Sequence, residues 1–222
     1  MANPLKVLLY FLFLNFIYFK VLFYYMYICL EGIDGAGKST QIEFLSQWLI
    51  DSGFKVEKVV EPTDSEIGLL IRKILTSPDA TSSNTQKILG LLFAADRLTL
   101  MEKINRYEEE NKIVISDRSF YSSLTYQHPK DWILEVNKFV RTPDLAILLD
   151  LDVELAISRC SKTDEFEKKS FLLDVRKNYI ELANKNKNNF KIINANNGPN
   201  KVKSDIKKVV SPLLGICVSG ID

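Results

Sequence analysis

Eight consecutive residues, Gly32, Ile33, Asp34, Gly35, Ala36, Gly37, Lys38 and Ser39, satisfy the spacing G-x-x-x-x-G-K-[ST]. Glycines at those intervals let the backbone curl until several N–H groups converge on one anion. A helix beginning at the end of the loop adds its partial positive charge to the same spot. Residues Gly32 to Thr40 therefore read as a cradle for the polyphosphate of a nucleotide. Lys38 would reach the β- and γ-phosphates, and the Ser39 hydroxyl would ligate Mg²⁺. A glycine-rich turn that held nothing would leave that lysine and hydroxyl without a task.

Two further groups extend the chemistry. Asp117 follows Ile113-Val114-Ile115-Ser116, a Walker-B-like position from which a carboxylate holds Mg²⁺ directly or through water. Arg97 and Arg118 carry the planar guanidinium that grips phosphate oxygens in pairs. One phosphate loop suffices for ATP, so extra arginines suggest a second phosphorylated substrate. The single histidine, His128, excludes a multi-histidine metal site. Cys29, Cys160 and Cys217 lack the short spacings of a metal knuckle, and a reducing cytosol is the expected compartment.

These groups need a scaffold that brings strand ends together. The apolar run at 27–31 reads as a strand entering the loop, and residues 40–52 as the helix leaving it, with Gly53 as its stop. Further strands are expected at 54–60, 113–116, 145–149 and 190–193. Helices are expected at 67–75, 85–111, 153–160, 171–187 and 202–210. Residues 161–170 read as a charged loop. Alternation of strand and helix predicts an α/β P-loop NTPase fold. Its sheet would have about five parallel strands, with helices on both faces. Ligands of such sheets bind at the carboxyl ends of the strands. Asp34, Glu61-Pro62-Thr63 and Asp117-Arg118 all fall there.

The 222 residues suit one such domain, spanning 26–222, and a net charge of +1 gives no global field for nucleic acid. Residues 1–25 stand apart. From Leu5 to Tyr25 the chain is nearly all Leu, Phe, Tyr, Ile and Val, long enough to span a bilayer. Two readings are open. The segment is a membrane anchor, or translation begins at Met26 and the upstream residues are a start-site artefact. The second is favoured, because Met26 lies directly before the first strand and the upstream residues have the bias of translated AT-rich DNA. Membrane contact is expected only if residues 1–25 are translated.

Three segments carry a family resemblance. They are Glu31-Gly32-Ile33-Asp34-Gly35-Ala36-Gly37-Lys38-Ser39-Thr40-Gln41, Leu91-Leu92-Phe93-Ala94-Ala95-Asp96-Arg97, and Asp117-Arg118-Ser119-Phe120-Tyr121-Ser122-Ser123-Leu124-Thr125-Tyr126-Gln127. Over roughly residues 27–210 the chain resembles thymidylate kinases, P-loop nucleoside monophosphate kinases that phosphorylate dTMP. The resemblance implies transfer of the γ-phosphoryl group of ATP to dTMP, with Mg²⁺, in dTTP biosynthesis. It implies that Phe93 stacks on thymine and that Arg97 and Arg118 hold the dTMP phosphate, with Arg72 in reach of it. Ser122 and Ser123 would contact the base, and Tyr126 would line the deoxyribose and disfavour a 2′-hydroxyl. Asp34 would sit beside the sugar and the transferring phosphate. Lys38, Asp34, Arg97 and Arg118 form the implied catalytic set, and the family precedent is a homodimer. Read from spacing alone, Phe93 and Tyr126 serve equally well as helix-packing residues.

The chain also departs from the family. Ala36 stands where one branch carries an arginine inside the phosphate loop. The lid-like segment 161–170 offers Lys162, Lys168 and Lys169, flanked by Arg159 and Arg176, and which of them meets the transferring phosphoryl is left open. Two alternatives stand beside dTMP phosphorylation: a kinase of another nucleoside monophosphate, and a membrane-anchored nucleotide-binding switch.

Overall fold

The computed structural model describes residues 25–159 and 165–216, with side chains over 25–159 and 169–216. Residues 1–24, 160–164 and 217–222 lie outside the described residues, and with them positions 161–164 of the expected lid. Among the described residues, five parallel strands form one sheet in the order β2-β3-β1-β4-β5. They are β1 (Met26–Glu31), β2 (Lys55–Val60), β3 (Lys112–Asp117), β4 (Leu145–Asp150) and β5 (Phe190–Asn194). The connecting helices are α1 (Lys38–Asp51), α2 (Glu66–Leu75), α3 (Ser83–Glu109), α4 (Phe120–Tyr126), α5 (Lys130–Val136), α6 (Val153–Arg159), α7 (Glu165–Lys185) and α8 (Pro199–Val210).

Burial explains the order. Every residue of the central β1 is buried, while β2 at the edge is half exposed. Side chains alternate across a strand, so one face of the centre packs Tyr27 and Val114 against Leu100, Met101 and Ile104 of α3. Ile28, Ile113 and Ile115 share a core with Ile42, Leu45 and Leu49 of α1. No helix among the described residues is long and apolar enough to cross a membrane.

Local signals set the helix ends. Ser65 accepts from Gly68 N at 3.0 Å and caps α2, which carries Glu66 in its first turn and Arg72 and Lys73 in its last. Gly68 has no room for a side chain: a Cβ there would lie 1.9 Å from Thr63 O. That close approach seats α2 on the turn after β2.

The fold differs from the expected one in two places. Helix α7 starts at Glu165, so residues 165–170 are helical rather than loop. Their charged, helix-favouring residues form the first turns, whereas apolar periodicity begins only at Phe171. Helices α4 and α5 were not expected. Each has seven residues, too few to show a repeat, and tertiary packing holds them: the ring of Trp132 in α5 rests against Gly90 of α3, 2.8 Å from where a Cβ would be.

Candidate active site

The loop from Gly32 to Gly37 leaves β1 and enters α1. Gly32, with φ 142°, brings its backbone against β4, where a Cβ would meet Leu149 O at 2.7 Å. Lys38 turns back over the loop and donates to Gly32 O at 3.2 Å and Ile33 O at 3.3 Å. Burial, and secondarily Arg118, lower its pKa from 10.5 to about 8, against the pull of Asp117, Asp34 and Glu31. Ser39 Oγ donates to Asp117 Oδ2 at 3.1 Å. Asp117 ends β3, in register with Leu30 of β1 and Val60 of β2. These groups line a cavity of about 690 Å³. Arg159 stands over the loop, donating to Gly35 O at 3.0 Å.

A second cavity of about 440 Å³ opens beside the first. Asp34, Glu61 and Arg118 line both. The second is the more apolar in its walls, with Leu89, Phe93 and Phe171, and it carries Arg97, Ser122, Ser123, Tyr126 and Gln127 as polar groups. Arg118 adopts φ 74°, a left-handed conformation costly for a residue with a side chain and most often tolerated at functional sites. Its guanidinium donates to Asp34 Oδ1 at 2.6 Å and Ser122 Oγ at 3.1 Å, and lies 5.3 Å from the centre of the Tyr126 ring.

Arg97 is 1% exposed. Its Nε and one terminal nitrogen both lie 2.7 Å from Glu61 Oε2, so the buried carboxylate cancels its charge. Asn137 Oδ1 and, at 3.3 Å, Ser123 Oγ accept its other donors. The preceding Asp96 takes Thr63 N at 2.7 Å, Thr63 Oγ1 at 2.6 Å and Ser65 Oγ at 2.6 Å. Adjacent residues of α3 thus hold both ends of the 61–65 turn. Three buried polar atoms of residues lining this cavity, Glu61 Oε1, Tyr126 OH and Gln127 Oε1, make no hydrogen bond among the described residues. Such atoms are rare in folded proteins, and three around one cavity suit a polar ligand.

Most residues expected at the site therefore line one of two joined cavities. Besides Gly32 and Ile33, whose carbonyls accept from Lys38, Arg72 is an exception. It donates to Thr63 O at 2.8 Å and Pro62 O at 2.6 Å, stapling the turn, and lines neither cavity. Among the basic residues near the expected lid, Lys162 lies outside the described residues, as does the side chain of Lys168. Lys169 pairs with Glu154. Arg176 is held by Asp150 at 2.6 Å and Asp152 at 2.8 Å.

Sequence reasoning assigned no role to Glu31, Asn137 or Gln127. Glu31 had a visible signal, a charge closing an apolar strand. Asn137 had none, because its partner Arg97 is 40 positions away.

Comparisons with known proteins agree with one another. The chain matches the family model described as "Thymidylate kinase" over residues 30–206. A protein named "Probable thymidylate kinase" from Methanobrevibacter smithii is 57% identical over 192 residues, covering 86% of this chain and 97% of that protein. One of the same name from Methanothermobacter thermautotrophicus is 51% identical over 196 residues, covering 88% of this chain and 100% of its own. A third, from Pyrococcus horikoshii, is 42% identical over 202 residues, covering 86% and 98%.

Proposed function

The chain belongs to the thymidylate kinase family, and on that premise we propose that it transfers the γ-phosphoryl group of ATP to dTMP, giving dTDP and ADP for dTTP synthesis. The observation that carries the reading is the pair of cavities joined at Asp34, Glu61 and Arg118. The first takes the triphosphate and the second takes the acceptor.

The second cavity suits thymine. Phe93 offers a flat apolar face for a base. Thymine presents carbonyl oxygens on either side of one N–H. Arg97 and Ser123 supply donors, and the unpaired Oε1 of Gln127 supplies an acceptor. Cytosine, with an acceptor at the same ring nitrogen, would leave that oxygen unpaired at a cost of about 1–3 kcal/mol. We assign Arg97 to the base edge rather than the phosphate, because Glu61 already neutralises it. Arg118, shared by both cavities, holds the dTMP phosphate. Tyr126 lines the sugar and disfavours a 2′-hydroxyl.

The acceptor phosphate has a second pKa of about 6, so it is mostly a dianion at neutral pH and needs no general base. The obstacle is electrostatic. At about 4 Å, two unit charges repel by about 4 kcal/mol at an effective dielectric near 20, and two polyanions bring several. Lys38 on the donor phosphates and Arg118 on the acceptor offset this and steady the loose in-line transition state. Ser39 and Asp117 fit a Mg²⁺ ion, since both offer oxygen and their ligating atoms lie 3.1 Å apart in the donor cavity. When bound there, Mg²⁺ would neutralise charge on the β- and γ-oxygens.

Two copies of the chain are proposed to associate through α2 and α3, where Leu69, Ile88, Leu91 and Leu98 are exposed. The reading is tested by ADP release from the full chain with ATP and Mg²⁺, offering dTMP, dUMP, UMP and CMP in turn. Release should rise sharply with dTMP. Equal or greater rates with UMP or CMP would reassign the substrate, and release indifferent to all four would refute the kinase reading.

A further inference from the structure

We propose that Glu31 is the residue that aims Arg118, acting on the acceptor-phosphate position through the hydroxyls of Ser122 and Tyr179. The inference rests on Arg118 holding that phosphate. Glu31 closes β1 and is 0% exposed. Ser119 Oγ donates to its Oε1 at 2.7 Å. Ser122 Oγ and Tyr179 OH approach its Oε2 at 2.7 and 2.8 Å. The same two oxygens accept from one terminal nitrogen of Arg118, at 3.1 and 3.4 Å. Two hydroxyls therefore stand between a buried carboxylate and a guanidinium.

Proton counting gives this arrangement a direction. A hydroxyl has one hydrogen, and an ionised carboxylate only accepts. The two hydroxyls also lie 2.9 Å from each other, but an ionised Glu31 is the stronger acceptor and draws their hydrogens, which leaves lone pairs facing Arg118. Asp34 fixes the other arm of the guanidinium at 2.6 Å. Burial raises the Glu31 carboxyl above its ordinary range, Arg118 and the three hydroxyls oppose that rise in part, and all three hydroxyls are placed to donate to it. The network spans the chain. Tyr179 lies on α7, 148 positions from Glu31, and the same helix contributes Phe171 to the acceptor cavity.

Glu31→Gln reverses the polarity while nearly keeping the shape. Ser119 also caps α4 by accepting from Tyr121 N at 3.3 Å, so its hydrogen is best used on the amide oxygen. The amide nitrogen then faces Ser122 and Tyr179, turns their hydrogens toward Arg118, and sets donor against donor. The test is steady-state kinetics on the full chain, varying dTMP and ATP separately, for wild type, Glu31→Gln and Tyr179→Phe. Melting temperatures establish folding.

For Glu31→Gln, kcat/KM for dTMP should fall about 10- to 100-fold, and for Tyr179→Phe about 3- to 10-fold. KM for ATP should stay within about 2-fold. In an Arg118→Met background, Glu31→Gln should add nothing, because its effect runs through Arg118. Should Glu31→Gln fail to fold, Tyr179→Phe carries the test, since it removes one oxygen and keeps the ring. Folded variants with dTMP kinetics like wild type would overturn the proposal. So would equal losses for ATP and dTMP, or an undiminished Glu31→Gln effect without Arg118. Wild-type turnover of dTMP is the control, and its absence would refute the substrate reading instead.

Discussion

Lys38→Met is expected to make the ligand-free protein more stable while removing its activity. Lys38 is 7% exposed, and burial brings its pKa from 10.5 to about 8. Each unit is worth about 1.4 kcal/mol, so keeping the charged form folded at pH 7 costs about 3 kcal/mol. Methionine fills similar space without that charge. It forfeits two long hydrogen bonds, to Gly32 O at 3.2 Å and Ile33 O at 3.3 Å, together worth about 1–2 kcal/mol. The net gain is about 1–2 kcal/mol, or a rise of about 3–6 °C in melting temperature for a chain of this size. The pH dependence identifies the cause. Because folding lowers this pKa, the unfolded chain holds the proton between about pH 8 and 10.5 while the folded protein releases it. The wild-type penalty is therefore complete below about pH 8 and shrinks as pH rises toward 10.5. Near pH 9.5 only about 1 kcal/mol remains, and the advantage of methionine should vanish. Calorimetric melts of both proteins at pH 7 and 9.5, without nucleotide, measure this. Turnover should drop at least about 100-fold. A variant less stable at pH 7, or equally stabilised at both pH values, would refute the reasoning.

Arg97→Ala strands the buried Glu61 carboxylate without its partner, and should cost about 3–5 kcal/mol in urea unfolding. Among molecules that remain folded, ATP affinity should persist while dTMP affinity is lost; titrations with each nucleotide separate the two. Asp117→Asn should leave melting nearly unchanged and raise the Mg²⁺ needed for half-maximal rate by about 10-fold, read from rate against metal concentration. Gly68→Ala drives a methyl into Thr63 O and should destabilise by about 2–3 kcal/mol. The shift falls on the 61–65 turn, so KM for dTMP should rise more than KM for ATP.

What sequence made legible was whatever is specified locally. The phosphate loop, the helical spans of α2 and α3, and the apolar runs of β1, β3 and β4 each follow from neighbours within a few positions. So does Asp117, since an apolar strand ending in a carboxylate reads the same in one dimension as in three. The part that escaped is the set of partners. Arg97 reads as a cation in sequence, yet folding delivers Glu61 to it from 36 positions away and turns it into a neutral-paired donor. Arg72 looked free to reach a phosphate, but two carbonyls of a nearby turn satisfy it. Helix α5 gave no periodic signal, because its role is to seat Trp132 on Gly90 and bring Asn137 to Arg97. The early start of α7 was hidden because charged residues favour a helix without marking a buried face.

The 3.1 Å contact between Ser39 and Asp117 bears on the order of assembly. A divalent cation arriving alone would meet one hydroxyl and one carboxylate that already satisfy each other. A hard ion of this kind wants about six oxygens in a tight octahedron and sheds its hydration reluctantly. Ser39 and Asp117 would offer two, so water and phosphate oxygens would have to supply the rest. On the proposed function, that hydroxyl–carboxylate contact would be a latch, opened by the ion together with the triphosphate rather than by the ion alone.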